Sequence, residues 1–215
     1  MVPECYMCDA AAVTKEHAPP QSFYPERLRV NLITVPSCAA HNTSNSKDVE
    51  YVRNVLSTQY GTNDVASEVF ETVKRSFENS PKLLRRTFRD LRPHVVHGTE
   101  TGAFPIDLPR LKVVIGAIGH AFYFRDHAKK HRGDWQIFAP TLGYAPSILD
   151  GQPDPWERLR QIVESGQYEA KPSPHPEVFE YGVVQMEDNQ LIYRFVFYEH
   201  IVVNAWTHFH TFVHW

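Results

Sequence analysis

Hydrophobic residues recur at helical spacing through the second quarter of the chain. In residues 46–56 and again in residues 64–79, apolar side chains stand three or four positions apart. This spacing aligns them along one face of a helix. A third such pattern begins at Ser80-Pro81, carries arginines between its apolar positions and ends at Pro93. The pattern predicts three amphipathic helices.

The second half of the chain combines helical and strand patterns. Residues 107–130 are long and apolar and predict one helix, and residues 154–163 predict a shorter one. Clusters of β-branched and aromatic residues predict strands, which cover residues 30–35, 135–139, 177–186, 190–198 and 201–206. Residues 187–189 predict a hairpin turn, and the proline-rich residues 169–176 predict a loop. Mixed helices and antiparallel strands indicate an α+β fold.

Composition and charge narrow the class of protein. A chain of 215 residues with 42% hydrophobic content can bury a core. The net charge is only −3, yet residues 74–92 carry seven basic and two acidic side chains. That segment is the expected face for a polyanion. The chain starts without the pattern of a signal peptide and has no membrane-length apolar run, so we expect a cytoplasmic protein with no membrane partner.

Metal-ligand spacing dominates the first 42 residues. Cys5 and Cys8 are three positions apart, as are Cys38 and His41. Two such pairs are typical of one tetrahedral zinc site, and these pairs use all three cysteines of the chain. An odd number of cysteines argues against a disulfide framework. The alternative is three buried free thiols.

Three further residues form a second candidate site, two between the ligand pairs and one directly after them. Glu16 is followed by His17, and Asn42 directly follows the last zinc ligand. A carboxylate and an amide oxygen could hold a hard divalent ion beside a histidine base. The alternatives are a surface Glu-His pair and an asparagine that only caps a helix. Asn45, one helical turn later, is the second candidate ligand.

Together these motifs resemble a known family. Cys5-Tyr-Met-Cys8, Glu16-His17-Ala-Pro-Pro and Cys38-Ala-Ala-His41-Asn42 are similar to the motifs of zinc-containing HNH endonucleases, which belong to the ββα-metal (His-Me finger) nucleases. The resemblance covers residues 3–58. It departs from the commonest pattern at Glu16, where Asp is more usual, and at His41, where Cys is more usual.

The resemblance implies a role for each matching residue. His17 is implied as the general base, and Glu16 and Asn42 as the ligands of a catalytic Mg²⁺ or Mn²⁺. Cys5, Cys8, Cys38 and His41 are implied as the ligands of a structural Zn²⁺. Asn31 is the candidate residue that orients the intervening loop. The implied reaction is hydrolysis of phosphodiester bonds to 5′-phosphate and 3′-hydroxyl ends, and small proteins of this kind occur in bacterial and phage defence or restriction systems.

The resulting expectation is an α+β protein in three parts. Residues 1–60 form a zinc-stapled ββα-metal nuclease module, residues 61–98 a basic helical connector, and residues 99–215 an accessory region of helices and an antiparallel sheet. DNA is the expected substrate ahead of RNA. The expected nucleic-acid contacts are Lys47, Arg53, Lys82, Arg85, Arg86 and Arg89.

A different class of function fits the same motifs. A zinc-stabilised module could bind nucleic acid or protein without catalysis. Residues 99–215 carry no recognisable site. They could contact a protein partner or a second copy of the chain, or they could sense a ligand or partner and gate the nuclease.

Overall fold

A computed structural model describes residues 3–143, 157, 161, 168–186 and 190–208. Its helices are α1 (Ala39–Thr43), α2 (Ser46–Ser57), α3 (Asp64–Asn79), α4 (Pro81–Thr87) and α5 (Leu108–His127). Its strands are β1 (Thr14–His17), β2 (Thr34–Ser37), β3 (Arg92–Val96), β4 (Thr99–Ala103), β5 (Asp134–Phe138), β6 (Glu169–Lys171), β7 (Phe179–Gln185), β8 (Leu191–Phe197) and β9 (Ile201–His208). The predicted turn at 187–189 and most of the predicted helix at 154–163 lie outside the described residues.

Three helices begin at side-chain caps. The side-chain oxygens of Asn63, Ser80 and Asp107 each accept a hydrogen bond from the backbone N–H three residues later. Each bond satisfies a donor that the first helical turn leaves without an intrahelical partner. The helix predicted over residues 64–79 is confirmed at both ends, and α4 and α5 lie within their predicted segments.

The N-terminal unit is an antiparallel strand pair followed by helices. Thr14 lies opposite Ser37 and His17 lies opposite Thr34. The predicted strand at 30–35 is wrong in its first four residues, because Asn31 has a φ of 56°, which interrupts an extended backbone. The strand instead continues through Pro36, whose carbonyl accepts a hydrogen bond from the backbone N–H of Tyr6.

The C-terminal half contains a five-stranded antiparallel sheet. Its strand order is β5-β9-β8-β7-β6. The strands predicted near 135–139, 177–186, 190–198 and 201–206 are confirmed. The loop predicted over 169–176 is wrong at its start, where Glu169–Lys171 pairs with β7. These three residues precede the first proline of the segment, so their backbone N–H groups remain available for pairing.

A separate two-stranded hairpin, β3–β4, occupies residues 92–103. The sequence predicted a helical connector that extends to residue 98. In the structure, residues 92–96 of that segment form a strand and residues 97–98 form a turn. His97 and Gly98 both have positive φ, at 48° and 80°. Two consecutive left-handed residues make the tight turn that reverses a hairpin, which a helix cannot accommodate.

Helix α5 lies between the N-terminal unit and the large sheet. On one side its Phe122 ring centroid lies 4.2 Å from that of Tyr181 on β7. On the other side it packs against α2, whose Val52 and Leu56 are fully buried. One hydrophobic cluster therefore runs from the Cys5 region to Ala205 on β9.

Two glycines of α5 predict opposite effects on stability. A Cβ atom at position 119 would lie 2.9 Å from the Trp135 ring, which also contacts the rings of His131 and Tyr193 and has little room to move. A Cβ at position 116 would meet the same ring at an ordinary 3.8 Å. Gly119→Ala should therefore destabilise by about 1–3 kcal/mol. Gly116→Ala should be neutral or stabilising by up to about 1 kcal/mol.

Thermal unfolding measures this difference. For a chain of this size about 1 kcal/mol corresponds to about 2–4 °C in Tm. A Gly119→Ala protein that melts as high as the Gly116→Ala control would contradict the packing of Trp135 on α5.

Candidate functional site

Two tight turns deliver the four predicted zinc ligands. Cys5 and Cys8 lie in a turn closed by a hydrogen bond from the Cys5 backbone N–H to the Ala10 carbonyl. Cys38 directly follows β2 at the N-cap of α1, and His41 lies within the first turn of that helix. The four side chains converge, with one ligand atom from each within 4.8 Å of the others.

The ligand distances suit a tetrahedral zinc ion. The His41 Nδ1 atom is 3.4 Å from both the Cys5 and the Cys38 Sγ atoms, and the Cys8 and Cys38 Sγ atoms are 3.9 Å apart. Ordinary zinc–ligand bond lengths in a tetrahedron place two sulfurs about 3.8 Å apart and a sulfur and a nitrogen about 3.6 Å apart. The cluster could therefore bind zinc, with His41 coordinating through Nδ1.

Backbone hydrogen bonds favour the thiolate form of Cys5. Burial raises the pKa of the Cys5 thiol, but backbone hydrogen bonds, the largest from Met7, outweigh burial and lower the pKa to about 6. At Cys8 a backbone hydrogen bond with Ala10 lowers the pKa of the thiol, but desolvation and the neighbouring Cys5 and Cys38 thiols outweigh it and raise that pKa. The thiolate is the form of cysteine that binds a metal, so the lowered pKa of Cys5 favours metal binding at this residue.

A second site forms where β1 ends. Glu16 and His17 are the last two residues of β1, opposite Val35 and Thr34. Both side chains are half-buried, and both line a small cavity together with Asn45 at the N-cap of α2. The opposite wall is α5. The cavity measures about 10 Å³, close to the smallest volume that holds one water molecule.

Within the described part of the chain, no group compensates the charge of the Glu16 carboxylate. Its Oε2 atom is buried and has no hydrogen-bond partner among the described residues. Burial raises the pKa of this carboxyl to about 7. A buried carboxylate oxygen without a partner is costly, and a bound cation would remove that cost. The Glu16 environment therefore fits a cation ligand.

The surroundings of His17 favour the neutral form of its imidazole ring. Burial lowers its pKa below the ordinary value, because the surrounding apolar groups disfavour the charged form. A neutral ring retains an acceptor nitrogen at neutral pH. The geometry therefore provides a proton acceptor at the same cavity that Glu16 lines.

The two candidate asparagines differ in position. Asn42 lies in α1, where its backbone N–H donates to the Cys38 carbonyl, and it is not among the residues that line the cavity. Asn45 lines the cavity, and its side chain makes no capping hydrogen bond to α2. Asn45 is thus the asparagine that the fold brings to Glu16 and His17.

The cavity also includes residues that the sequence did not suggest. Tyr6 lies in the turn that carries the first cysteine pair, and Ala117 and Ala121 lie on α5. The two alanines are four residues apart, on one face of the helix, and their small side chains leave the space that the cavity occupies. These alanines are far from Glu16 along the chain, so a local sequence motif does not include them.

The predicted nucleic-acid contacts fall into two groups. Lys82, Arg85, Arg86 and Arg89 are exposed on and just after α4, with Arg86 3.6 Å from Glu50 on α2. On α2 itself, Lys47 is exposed, whereas Arg53 is half-buried and donates to the Asn54 Oδ1 atom. Arg53 lines a groove with Arg29 and Arg75, none of which is among the residues that line the Glu16 cavity.

Asn31 lies outside the cavity. Its side chain is exposed, and its left-handed backbone bends the loop between β1 and β2. Asparagine tolerates this conformation better than most residues, which is a physical reason for its presence here.

Comparison with known proteins finds no relative. No family model matches the chain, and neither the curated proteins nor the solved structures contain a match. Within the described part of the chain, none of the helices combines the length and apolar character that crossing a bilayer requires.

Proposed function

We propose that this protein is a metal-dependent endonuclease of the HNH type that hydrolyses DNA phosphodiester bonds. The observation that carries the proposal is the half-buried Glu16, with an unpartnered carboxylate oxygen, beside His17 at the end of β1. The strand pair, the following helices and the nearby Cys/His cluster support it, because that order matches the motif order of the family.

His17 acts as the general base in the proposed mechanism. Its neutral imidazole accepts a proton from the attacking water, a task for which an ordinary pKa near ~6.5 or somewhat lower is suited at neutral pH. His17 is only half-buried, so part of the residue remains accessible to solvent and to a substrate. The scissile phosphate therefore approaches from the solvent side of β1.

Glu16 and an asparagine oxygen would hold the divalent ion. Asn42 is the ligand implied by the family resemblance, and Asn45 is the one that lines the cavity. When bound, Mg²⁺ or Mn²⁺ would supply positive charge that offsets the negative charge developing on the scissile phosphate and the leaving oxygen. A small number of protein ligands is enough for Mg²⁺, because this ion keeps several of its bound waters.

Exposed basic side chains would position the DNA backbone. Lys47 precedes Asp48 on the helix that begins beside the cavity, and α4 presents its arginines nearby. Such contacts fix the register of a duplex without reading its sequence. The proposed enzyme therefore has weak sequence preference.

Cleavage of supercoiled plasmid tests the proposal. We expect nicked product with Mg²⁺ or Mn²⁺, none with EDTA, and recovery when Mg²⁺ is restored in excess. The nicks should be sealed by a DNA ligase, because the expected ends are 5′-phosphate and 3′-hydroxyl. Zinc content measured after EDTA treatment separates loss of the catalytic ion from loss of the Cys/His cluster.

The non-catalytic alternative predicts a different result. A zinc-stabilised binding module would retard the plasmid on a gel without nicking it under any of these metal conditions. Protein with full zinc content that binds but never cleaves would overturn the nuclease proposal in favour of that module.

A further inference from the structure

The β3–β4 hairpin forms an arm that projects from the fold. Its two strands pair with each other, and neither packs extensively on another element of the described chain. All of its residues from 92 to 103 are exposed except Val96 and Thr101, which are half-buried. Five residues per strand correspond to a length of about 17 Å.

The base of the arm is held firmly. The Phe88 ring lies 5.4 Å from that of Phe77 on α3 and 4.9 Å from that of Phe104, which directly follows β4. Leu91 covers Gly102 so closely that a Cβ there would lie 2.6 Å from its side chain. An isolated two-stranded hairpin has little stability of its own, so this anchored base sets its direction.

The base of the arm is basic within an acidic protein, whereas the hairpin itself, with Arg92 against Glu100, has no net charge. Residues 82–103 have a net charge of +3 with histidines neutral, whereas the whole chain has −3. The basic residues are Lys82, Arg85, Arg86, Arg89 and Arg92, against Asp90 and Glu100. Charge of this sign complements a polyanion.

One face of the arm is rich in hydrogen-bonding groups. The register pairs His94 with Thr101 and Val96 with Thr99, and Arg92 lies on the same face. The opposite face carries Val95 and Glu100. The polar face offers donors to phosphate oxygens and base edges, whereas the other face does not.

The base of the arm lies near the Glu16 cavity. Arg86 on α4 is 3.6 Å from Glu50 on α2. Glu50 is five residues after Asn45, which lines the cavity, and this spacing amounts to about 7.5 Å along the helix axis. Five residues also rotate the position by about 140° around the helix, so a nucleic acid that contacts both the cavity and α4 reaches around α2.

We propose that the β3–β4 arm enters a groove of duplex DNA while the α4 arginines contact the flanking phosphates. The major groove of B-form DNA is about 12 Å wide and admits a two-stranded ribbon. The corresponding groove of A-form RNA is deep and narrow, so side chains cannot read it. The arm thus selects DNA over RNA. This inference rests on the proposed function only in taking nucleic acid as the ligand.

A shortened arm tests the proposal by binding, independently of cleavage. Residues 94–101 are replaced by Asn-Gly, which keeps the Pro93–Gly102 pair and supplies a favoured turn. Affinity for a DNA duplex of about 20 base pairs is measured with Ca²⁺ in place of Mg²⁺, with the DNA checked for integrity. We expect affinity to fall at least about tenfold, while an RNA duplex binds the intact protein weakly and is unaffected by shortening.

Single substitutions refine the test. Arg92→Gln should weaken DNA binding and make its salt dependence shallower by about one unit of slope. Lys129→Gln removes the same charge at an exposed position just after α5 and should leave affinity within about twofold. Glu100→Gln should tighten binding, because it removes a negative charge from the arm.

The outcomes separate the arm from the nuclease. A shortened arm that keeps full DNA affinity, with unchanged zinc content and Tm, overturns the arm proposal even if the plasmid is still cleaved. Equal affinity of the intact protein for DNA and RNA, or loss of both on shortening, also overturns it. If shortening the arm weakens DNA binding but the intact protein never cleaves DNA, the result supports the arm proposal and contradicts the proposed nuclease function.

Discussion

Replacing Cys38 with serine is expected to release zinc and to lower Tm by about 8–16 °C, equivalent to about 4 kcal/mol or more of stability. Cys38 links the end of β2 to the start of α1, and its Sγ atom lies 3.9 Å from that of Cys8. Serine has no thiolate, so the four-ligand set that would hold the Cys5–Cys8 turn against β2 is broken. Metal analysis should show a fall from about one zinc per chain to near zero.

His41 provides the matched control for this experiment. His41→Cys keeps four ligands and converts the set to four cysteines, another common structural zinc set, so zinc content should persist. His41→Ala removes a ligand and should behave as Cys38→Ser does. Wild-type protein that contains no zinc, and a Cys38→Ser variant that melts normally, would instead identify three ordinary buried thiols.

Replacing His17 with alanine is expected to reduce plasmid cleavage about 10²- to 10⁴-fold, the usual contribution of a general base. Zinc content and Tm should stay close to wild type, because His17 is half-buried and is not one of the four clustered ligands. Burial lowers the pKa of His17, so wild-type cleavage should be sustained at neutral pH and fall in acid as the imidazole takes up a proton. The residual activity of the variant should keep only the decline that comes from Glu16, because protonation of that carboxyl, whose pKa is raised to about 7, weakens metal binding in acid.

Two asparagine variants complete this comparison. Asn45→Ala should lower cleavage and cost little stability, since the Asn45 side chain makes no capping hydrogen bond. Asn42→Ala should lower cleavage more than Asn45→Ala only if the ligand implied by the family resemblance is the one used. Cleavage by His17→Ala at the wild-type rate would remove His17 from the mechanism and point to a contaminating nuclease.

Features that depend on local chemistry were predictable from the sequence. Helix α3 begins after Asn63 and follows its apolar stripe to Asn79, because capping and side-chain periodicity act within a few residues. The convergence of Cys5, Cys8, Cys38 and His41 followed from ligand spacing, since four such ligands converge at one metal.

Features that depend on distant contacts were not predictable. The β3–β4 arm lacks an alternating apolar pattern, since almost all of it is exposed, and its sequence therefore predicted no strands. The choice between Asn42 and Asn45 depends on how α1 leads into α2. The wall that Ala117 and Ala121 provide comes from a helix about a hundred residues away, which no local motif encodes.

The position of α5 has a consequence for protein engineering. The same helix closes the Glu16 cavity on one side and supports the five-stranded sheet on the other. Cutting the chain after residue 60 would remove that wall and leave the buried side chains of Val52 and Leu56 facing water. A segment of residues 1–60 that carries the metal-ligand motifs is therefore not expected to fold by itself in another protein. A chimaera that borrows them must carry α5 and the sheet behind it, or supply an equivalent apolar cover.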